Sequence, residues 1–251
     1  MGTRRVVHLV ALLGACGGGG ASPDAAPPDG MADAIPTVAI TGRVLDWVNR
    51  QPQAGVTVTV MDHPEIEAVT TGADGRYRVV VPAGSQAQLR CEKEAYVPLL
   101  TRVFNVGDVD YATYDGSLFD AMASRDAVDL TGDVVGEPYD PAKGGVVLRI
   151  QDTDSNDAVA GATVALSLTG HTPLYFNASE FPDPSLTETS TSGLVVLHNY
   201  DLGTGTLTVS HATLTDCAAV GPDYDLPPLP LDVTNYADTT TWIPIQCGPP
   251  P

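Results

Sequence analysis

Three groups of residues are of types that could do chemistry. The four cysteines, Cys16, Cys91, Cys217 and Cys247, can be acylated, bridged or kept as thiols. His198, Tyr200 and His211 offer imidazole and phenol donors close together in the chain, the types that hold iron or zinc. If 194–200 and 206–211 pair as a hairpin about "DLGTG", His198 faces Leu207 or Thr208. At about 3.4 Å per residue, His211 is then about 10 Å or more further along the ladder, too far to share one ion. The stretch "DTDSND" (152–157) sets Asp152, Asp154 and Asn156 at the alternating spacing of a calcium loop. Asp157 stands where that loop needs glycine and Thr163 where it needs a bidentate acid, so the stretch reads as a polar hairpin turn. No G-x-S-x-G, H-E-x-x-H or phosphate-binding glycine loop occurs in the sequence. No catalytic residue, metal ligand or cofactor is therefore expected.

Cys16 has a context of its own. Arg4 and Arg5 precede an apolar run from Val6 to Gly14 broken only by His8, which is a charged n-region and an h-region too short to span a bilayer. Leu13-Gly14-Ala15-Cys16 resembles the bacterial lipobox, and that resemblance implies cleavage after residue 15 and a diacylglyceryl group on Cys16. Two or three acyl chains hold a protein stably at about 0.8 kcal/mol per buried methylene. Gly17, in place of Asp, fits export to the outer membrane or cell surface. Two other readings stand beside this one. A plain secretory signal with a coincidental cysteine is the first; Met1-Gly2 as a myristoylation start is the second, although Val6 stands where that motif wants Ser or Thr. Residues 16–35, rich in Gly, Ala, Pro and Asp, read as a flexible tether.

The elements that must position these groups are strands. The 251 residues are 43% hydrophobic but only 6% aromatic, with 25 glycines and 21 prolines, a balance that favours β-structure with many turns. A net charge of −19 repels phosphate backbones, which excludes nucleic acid as a partner. "GRVLDWVNRQPQAGVTVTV" (42–60) and "VLRIQDTDSNDAVAGATVAL" (147–166) share one layout: a strand ending at Asp, a polar connection, then an Ala-Gly step into a second strand. Asp46 to Gly55 and Asp152 to Gly161 are both nine positions, the mark of a duplicated unit. Each unit continues through a Thr-containing approach to a glycine, Gly75 or Gly193, that opens another apolar strand. The second unit carries twelve extra residues before that point, and "HTPLYFNASEFPDP" (171–184) within them is expected to be a surface loop. Tyr77, Val79 and Val81 share one strand face, and with Val44, Val56, Val58 and Val60 they are the expected core. Between the units, "DGSLFDAMASRDAV" (115–128) is the expected helix, capped by Asp115 or Ser117 and packing through Leu118, Phe119 and Met122.

"ITGRVLD", "AGVTVTV", "TTGADGRYRVVVPAG" and "YVPLLTRVF" in that order resemble the carboxypeptidase regulatory-like domain, a transthyretin-like sandwich, over about residues 38–106. The second unit resembles the same superfamily more weakly, lacking an aromatic after Gly193. The resemblance implies an all-β chain of two tandem transthyretin-like (prealbumin-like) β-sandwiches with a short connecting helix. The segments would be 1–15 signal peptide, 16–35 tether, 36–107 first sandwich, 108–144 helical linker and 145–251 second sandwich. It reaches the accessory sandwich of carboxypeptidases and not their zinc domain. Fold relatives include iron-binding intradiol dioxygenases, whose close histidine pair is absent here. Related adhesins carry Lys–Asn isopeptide bonds. Of the two lysines, Lys93 and Lys143, only Lys143 with Asn235 and Glu188 has a suitable order, and "DPAKGG" reads as a turn that leaves Lys143 solvated.

Export permits a Cys217–Cys247 disulfide clamping the last strand, with Cys91 left as a strand-borne thiol. Pairing across the units is the alternative, because sequence does not fix connectivity. The function expected is a non-catalytic, lipid-anchored binding, spacer or adhesion module of the cell envelope. It would hold the membrane through Cys16 and meet a protein or polysaccharide through its loops. The alternatives are an accessory subunit of an exported peptidase, a metal-dependent enzyme at His198 and Tyr200, or a carbohydrate-binding module stacking sugars on Trp47 and Tyr175.

Overall fold

The computed structural model describes residues 35–112, 121–220 and 227–250. The first repeat forms β1 (Thr37–Arg43), β2 (Leu45–Asp46), β3 (Thr57–Val60), β4 (Val69–Thr70), β5 (Arg76–Pro82), β6 (Gln86–Ala87), β7 (Leu89–Glu92), β8 (Leu99–Thr101) and β9 (Phe104–Asn105). β10 (Tyr111–Ala112), β11 (Ala121–Met122) and helix α1 (Arg125–Val135) follow. The second repeat forms β12 (Gly144–Asp152), β13 (Thr163–Leu166), β14 (Leu174–Tyr175), β15 (Leu194–Tyr200), β16 (Gly203–Ser210), β17 (Asp216–Ala219), β18 (Leu231–Asn235) and β19 (Thr240–Gly248).

The repeat read from spacing recurs atom for atom. In each copy the Asp side chain closes its own turn: Asp46 Oδ1 accepts from the amides of Val48 and Asn49, and Asp152 Oδ1 from those of Asp154 and Ser155. Those bonds hold the Asp152 carboxyl below the usual carboxylate range. Thr71 Oγ1 accepts from Val56 N and donates to Gln53 O; Thr189 Oγ1 accepts from Ala162 N and donates to Val159 O. Gly75 and Gly193 both have positive φ (75° and 65°). A Cβ there would stand 2.6 Å from Val44 O or 2.4 Å from Ile150 O, so only glycine fits.

Both units are β-sandwiches, as expected, and β5 buries Tyr77, Val79 and Val81 on one face while Arg76, Arg78 and Val80 point out. The sandwiches share a sheet. A nine-stranded sheet runs β14-β15-β12-β19-β8-β7-β3-β4, with β17 also on β19, and the parallel β19–β8 pairing carries it from one repeat into the other. Pro244 sits mid-strand in β19 and lacks an N–H, but β8 pairs only through Trp242 and β17 only from Ile245. The proline falls in the gap between them, where no ladder bond is lost.

Two small sheets cover the large one. β10-β1-β5 packs with β3, β7 and β8 around Ile40, Val58, Val79 and Leu89; β13-β16-β18 packs with β12, β15 and β19 around Leu148, Leu197, Leu207 and Ile243. Register fixes which face each uses. Val196, Val147 and Trp242 are neighbours in one row on one face, while Leu197, Val146 and Thr241 form the next row on the other. The second core takes Val146, Leu148 and Ile150, all fully buried, each contributing about 1.5–3 kcal/mol. Val147, Val196 and Trp242 are left on the opposite face, packed against the first core. An apolar sheet face in that position needs a lid, and α1 supplies it.

The helix lies later than 115–128. Residues 115–120 are outside the described residues, and Met122, expected on the helix, is fully buried in β11 opposite Asp46. Strand pairing with β2 holds 121–122 extended, so helix starts only after Ser124, whose Oγ accepts from Ala127 N. It ends at Gly136, which is left-handed (φ 71°) and donates to Asp133 O, two residues before Pro138. The 171–184 segment also departs from expectation. It is not all surface: Leu174, Tyr175 and Phe176 are buried, and β14 extends the large sheet against β15.

The hairpin imagined about "DLGTG" does not form. β15 pairs with β12 and β14, and β16 pairs with β13 and β18, so the chain crosses at 200–203 from one layer to the other. The Asn235 amide donates to the carbonyls of Tyr200 and Asp201 and pins this corner.

Candidate functional site

Between α1 and the large sheet lies an apolar cleft of about 320 Å³. Its floor is Val147, Val196, Trp242 and Leu99; its roof is Ala127, Val128 and Thr131 of α1. Trp47, from the first repeat's Asp-capped turn, closes one end, its ring 5.0 Å from that of Trp242 at 58°, with the Arg50 guanidinium 5.0 Å over its outer face. Cavities of this size, mostly apolar with a few polar groups, are what small ligands or anchoring side chains occupy.

The mouth is unusual for a water-facing surface. Val48, Leu130 and Phe181 line the cleft and are 68%, 59% and 65% exposed. They come from three separate elements, the turn after β2, α1 and the loop after β14. Phe181 is held out by its loop. Asn177 Oδ1 accepts from the amides of Ser179 and Phe181, and Asn177 N donates to Phe181 O. Glu180 in that loop faces Arg50 at 3.6 Å and Arg149 at 3.3 Å, one guanidinium from each repeat.

The polar end is built by His198, Asn199 and Tyr139. Asn199 donates to Pro138 O and accepts from Asp140 N, tying β15 to the segment after α1. Asp238 takes a two-pronged pair from Arg125 at 2.8 Å and a hydrogen bond from Tyr139, tying the start of α1 and the segment after it to one carboxylate. Arg125 lowers the Asp238 carboxyl, and burial with Asp238 nearby raises the Tyr139 phenol. Burial pushes His198 below its ordinary value, which favours the neutral imidazole, and its Nε2 donates to Glu137 O at 3.2 Å.

The remaining sequence candidates are scattered. Cys217 and Cys247 are directly opposed on β17 and β19 and form the disulfide; Cys91 is buried in β7 opposite Val58, outside that bridge. Cys16 lies outside the described residues. His198 is in the cleft, Tyr200 is in the second core, and His211 Nδ1 accepts from the Thr213 and Leu214 amides while Nε2 donates to Ala160 O. These three share no site, and among the described residues no group of three His, Cys, Asp or Glu side chains could hold a metal. Tyr175 is buried with its hydroxyl accepting from Val164 N, so it offers no stacking face. Lys143 lies in a turn with its side chain 35% exposed, and its ammonium donates to Asp201, which raises its pKa, while the Asn235 amide is spent on backbone carbonyls and Glu188 is exposed elsewhere. Trp242, Leu130 and Phe181 were not singled out from sequence. The Ser124 cap and the Gly136 stop were the signals that could have placed Leu130 on a helix.

The opposite face has a second depression of about 260 Å³, lined by Gln86, Gln88, Asn105, Asp232 and Thr234 together with apolar Phe104, Leu231 and Ile243. Both depressions lie beside the β8–β19 join, where the covering layers do not meet.

No protein-family model matches this chain, and no curated protein matches it. Among solved structures it is similar to the Bacillus anthracis TIE protein at 12% identity and TM-score 0.27, covering 85% of this chain and 34% of that one. It is similar to a streptococcal ancillary pilin at 12% identity and TM-score 0.25, covering 87% of this chain and 64% of that one. A minor pilin of Streptococcus agalactiae is similar at 15% identity and TM-score 0.28, over 85% of this chain and 97% of that chain. The chain thus spans about a third of the first of these proteins and under two thirds of the second. At such scores no residue's role passes from them to this chain.

Proposed function

We propose that this chain is a non-catalytic binding or adhesion module of the cell envelope, exported, carried on a lipid at Cys16, and engaging its partner through the apolar cleft. One observation carries the reading: Val48, Leu130 and Phe181 stand exposed around a cleft that a purely structural sandwich would have closed. The lipobox-like run ending at Cys16 and the tether after it support the anchoring. The ordered motifs from Ile40 to Phe104 support kinship with the carboxypeptidase regulatory-like domains. The partner is a protein or a polysaccharide.

The test has two arms. Intact mass of the protein from its native membrane fraction should begin at Cys16 with acyl chains added; a mass beginning elsewhere removes the anchor. Isolated envelope material should retain purified protein and lose it when Val48, Leu130 and Phe181 are all changed to Ser; equal retention of that variant removes the cleft from the function. A second reading, polysaccharide binding, is favoured by the amide- and hydroxyl-lined depression on the opposite face. There, Gln86→Ala with Asn105→Ala should abolish retention while the triple Ser variant leaves it intact.

A further inference from the structure

We infer that the cleft receives a bulky apolar side chain carried on a basic polypeptide segment; the inference rests on the cleft being the binding site. The size of the cleft sets the anchor. A cavity of about 150 Å³ holds benzene, and this one is about 320 Å³, room for an indole or a large aliphatic side chain with its backbone left at the mouth. The exposed apolar rim then packs against the segment on either side of the anchor, as the surroundings of a binding hot spot do.

Charge sets the rest. Leu130 stands at the mouth, and its neighbours one helical turn away on the exposed face are Asp126 and Asp133, with Asp129 beside it. All three acids are exposed, and exposed Glu137 follows the helix. The helix carries one basic residue, Arg125, and Asp238 holds it in a two-pronged pair at 2.8 Å. Across the mouth, Arg50 and Arg149 share the single carboxylate of Glu180 and leave one positive charge there, outnumbered by the four acids Asp126, Asp129, Asp133 and Glu137. The outward charge of the rim is therefore negative, on a chain of net charge −19. A lysine- or arginine-flanked anchor is attracted to it, whereas an acidic segment or a fatty-acid carboxylate is repelled.

Dye-labelled, capped pentapeptides test this by fluorescence anisotropy on the whole protein. The flanks are two lysines, two serines or two glutamates on each side, and the centre is tryptophan or alanine. The lysine-flanked tryptophan peptide should bind best. Replacing its tryptophan by alanine should weaken binding tenfold or more, and glutamate flanks should weaken it further than serine flanks. Ala127→Phe, which fills the roof, should abolish binding, and so should Leu130→Ser, an exposed change that leaves the core intact. Asp126→Lys with Asp133→Lys should invert the preference between lysine and glutamate flanks. If no tryptophan peptide binds, the basic-segment inference falls, and if envelope material also retains the triple Ser variant as well as it retains the parent protein, the cleft reading falls with it. If tryptophan peptides bind regardless of flank, the cleft reading stands and the basic-segment inference is overturned. Lysine-peptide binding that ignores Ala127→Phe and Leu130→Ser overturns it too, because charge alone then explains the signal.

Discussion

Substituting the paired glycines measures the duplicated turn directly. Gly75→Ala and Gly193→Ala each force an L side chain into the left-handed region, at about 1–2 kcal/mol. Each also brings a Cβ onto a strand carbonyl, 2.6 Å from Val44 O or 2.4 Å from Ile150 O. Neither oxygen can move cheaply, since each accepts a backbone hydrogen bond, from Gln53 N at 2.8 Å and from Val159 N at 2.9 Å. Relief of such overpacking costs about 1–3 kcal/mol, so the sum is about 2–5 kcal/mol for each. Gly55 is the internal control. It also has positive φ, 73°, but a Cβ there meets nothing within 4 Å, so Gly55→Ala loses only the conformational part, about 1–2 kcal/mol. Urea unfolding followed by tryptophan fluorescence and far-UV circular dichroism gives all three values. The expected order is Gly193→Ala and Gly75→Ala both clearly worse than Gly55→Ala. Three equal losses would mean that the carbonyl contacts do not restrict these positions, and the physical account of the repeat would fail.

Three further outcomes follow from the same structure. Thr189→Val removes a hydroxyl that satisfies Ala162 N and Val159 O in a buried site, and should cost about 2–4 kcal/mol in urea melts, with Thr71→Val comparable and Thr189→Ser much milder. Cys217→Ala with Cys247→Ala opens a loop of sequence separation 30, and should lower stability by about 3.5 kcal/mol on the chain-entropy relation, read as a shift in urea midpoint against the oxidised protein. His198 has its pKa lowered by burial, so below its ordinary value of 6.5 the unfolded chain takes up a proton that the native state refuses. Stability should fall as pH drops from about 7 through that region, and His198→Phe should flatten this part of the profile; a slope identical in the variant would assign it to other groups.

Local pattern determined much of this protein. Nine-residue spacings located the Asp-capped turns because an Asx turn and a left-handed glycine are set by neighbours in sequence. Alternation in "RYRVVVP" gave the buried face of β5, since a strand's period of two depends on no distant partner. The pairing of Cys217 with Cys247 was foreseen as a clamp on the last strand, though only the β17–β19 register put the two side by side.

Tertiary contacts decided the rest. Met122 has helix-compatible spacing with Leu118 and Phe119, yet pairing with Asp46, 76 positions away, holds it in a strand and delays α1 to Ser124. The corner at 200–203 looks like a hairpin until Asn235 takes its carbonyls. Val147, Val196 and Trp242 look like ordinary core residues in sequence, because strands buried on both faces lose the alternation that would separate one face from the other. Only the β19–β8 join, and the placing of the two covering sheets on opposite faces, turned those three side chains toward a helix that covers them incompletely. The cleft exists because of that arrangement of layers, and no local stretch of sequence encodes it.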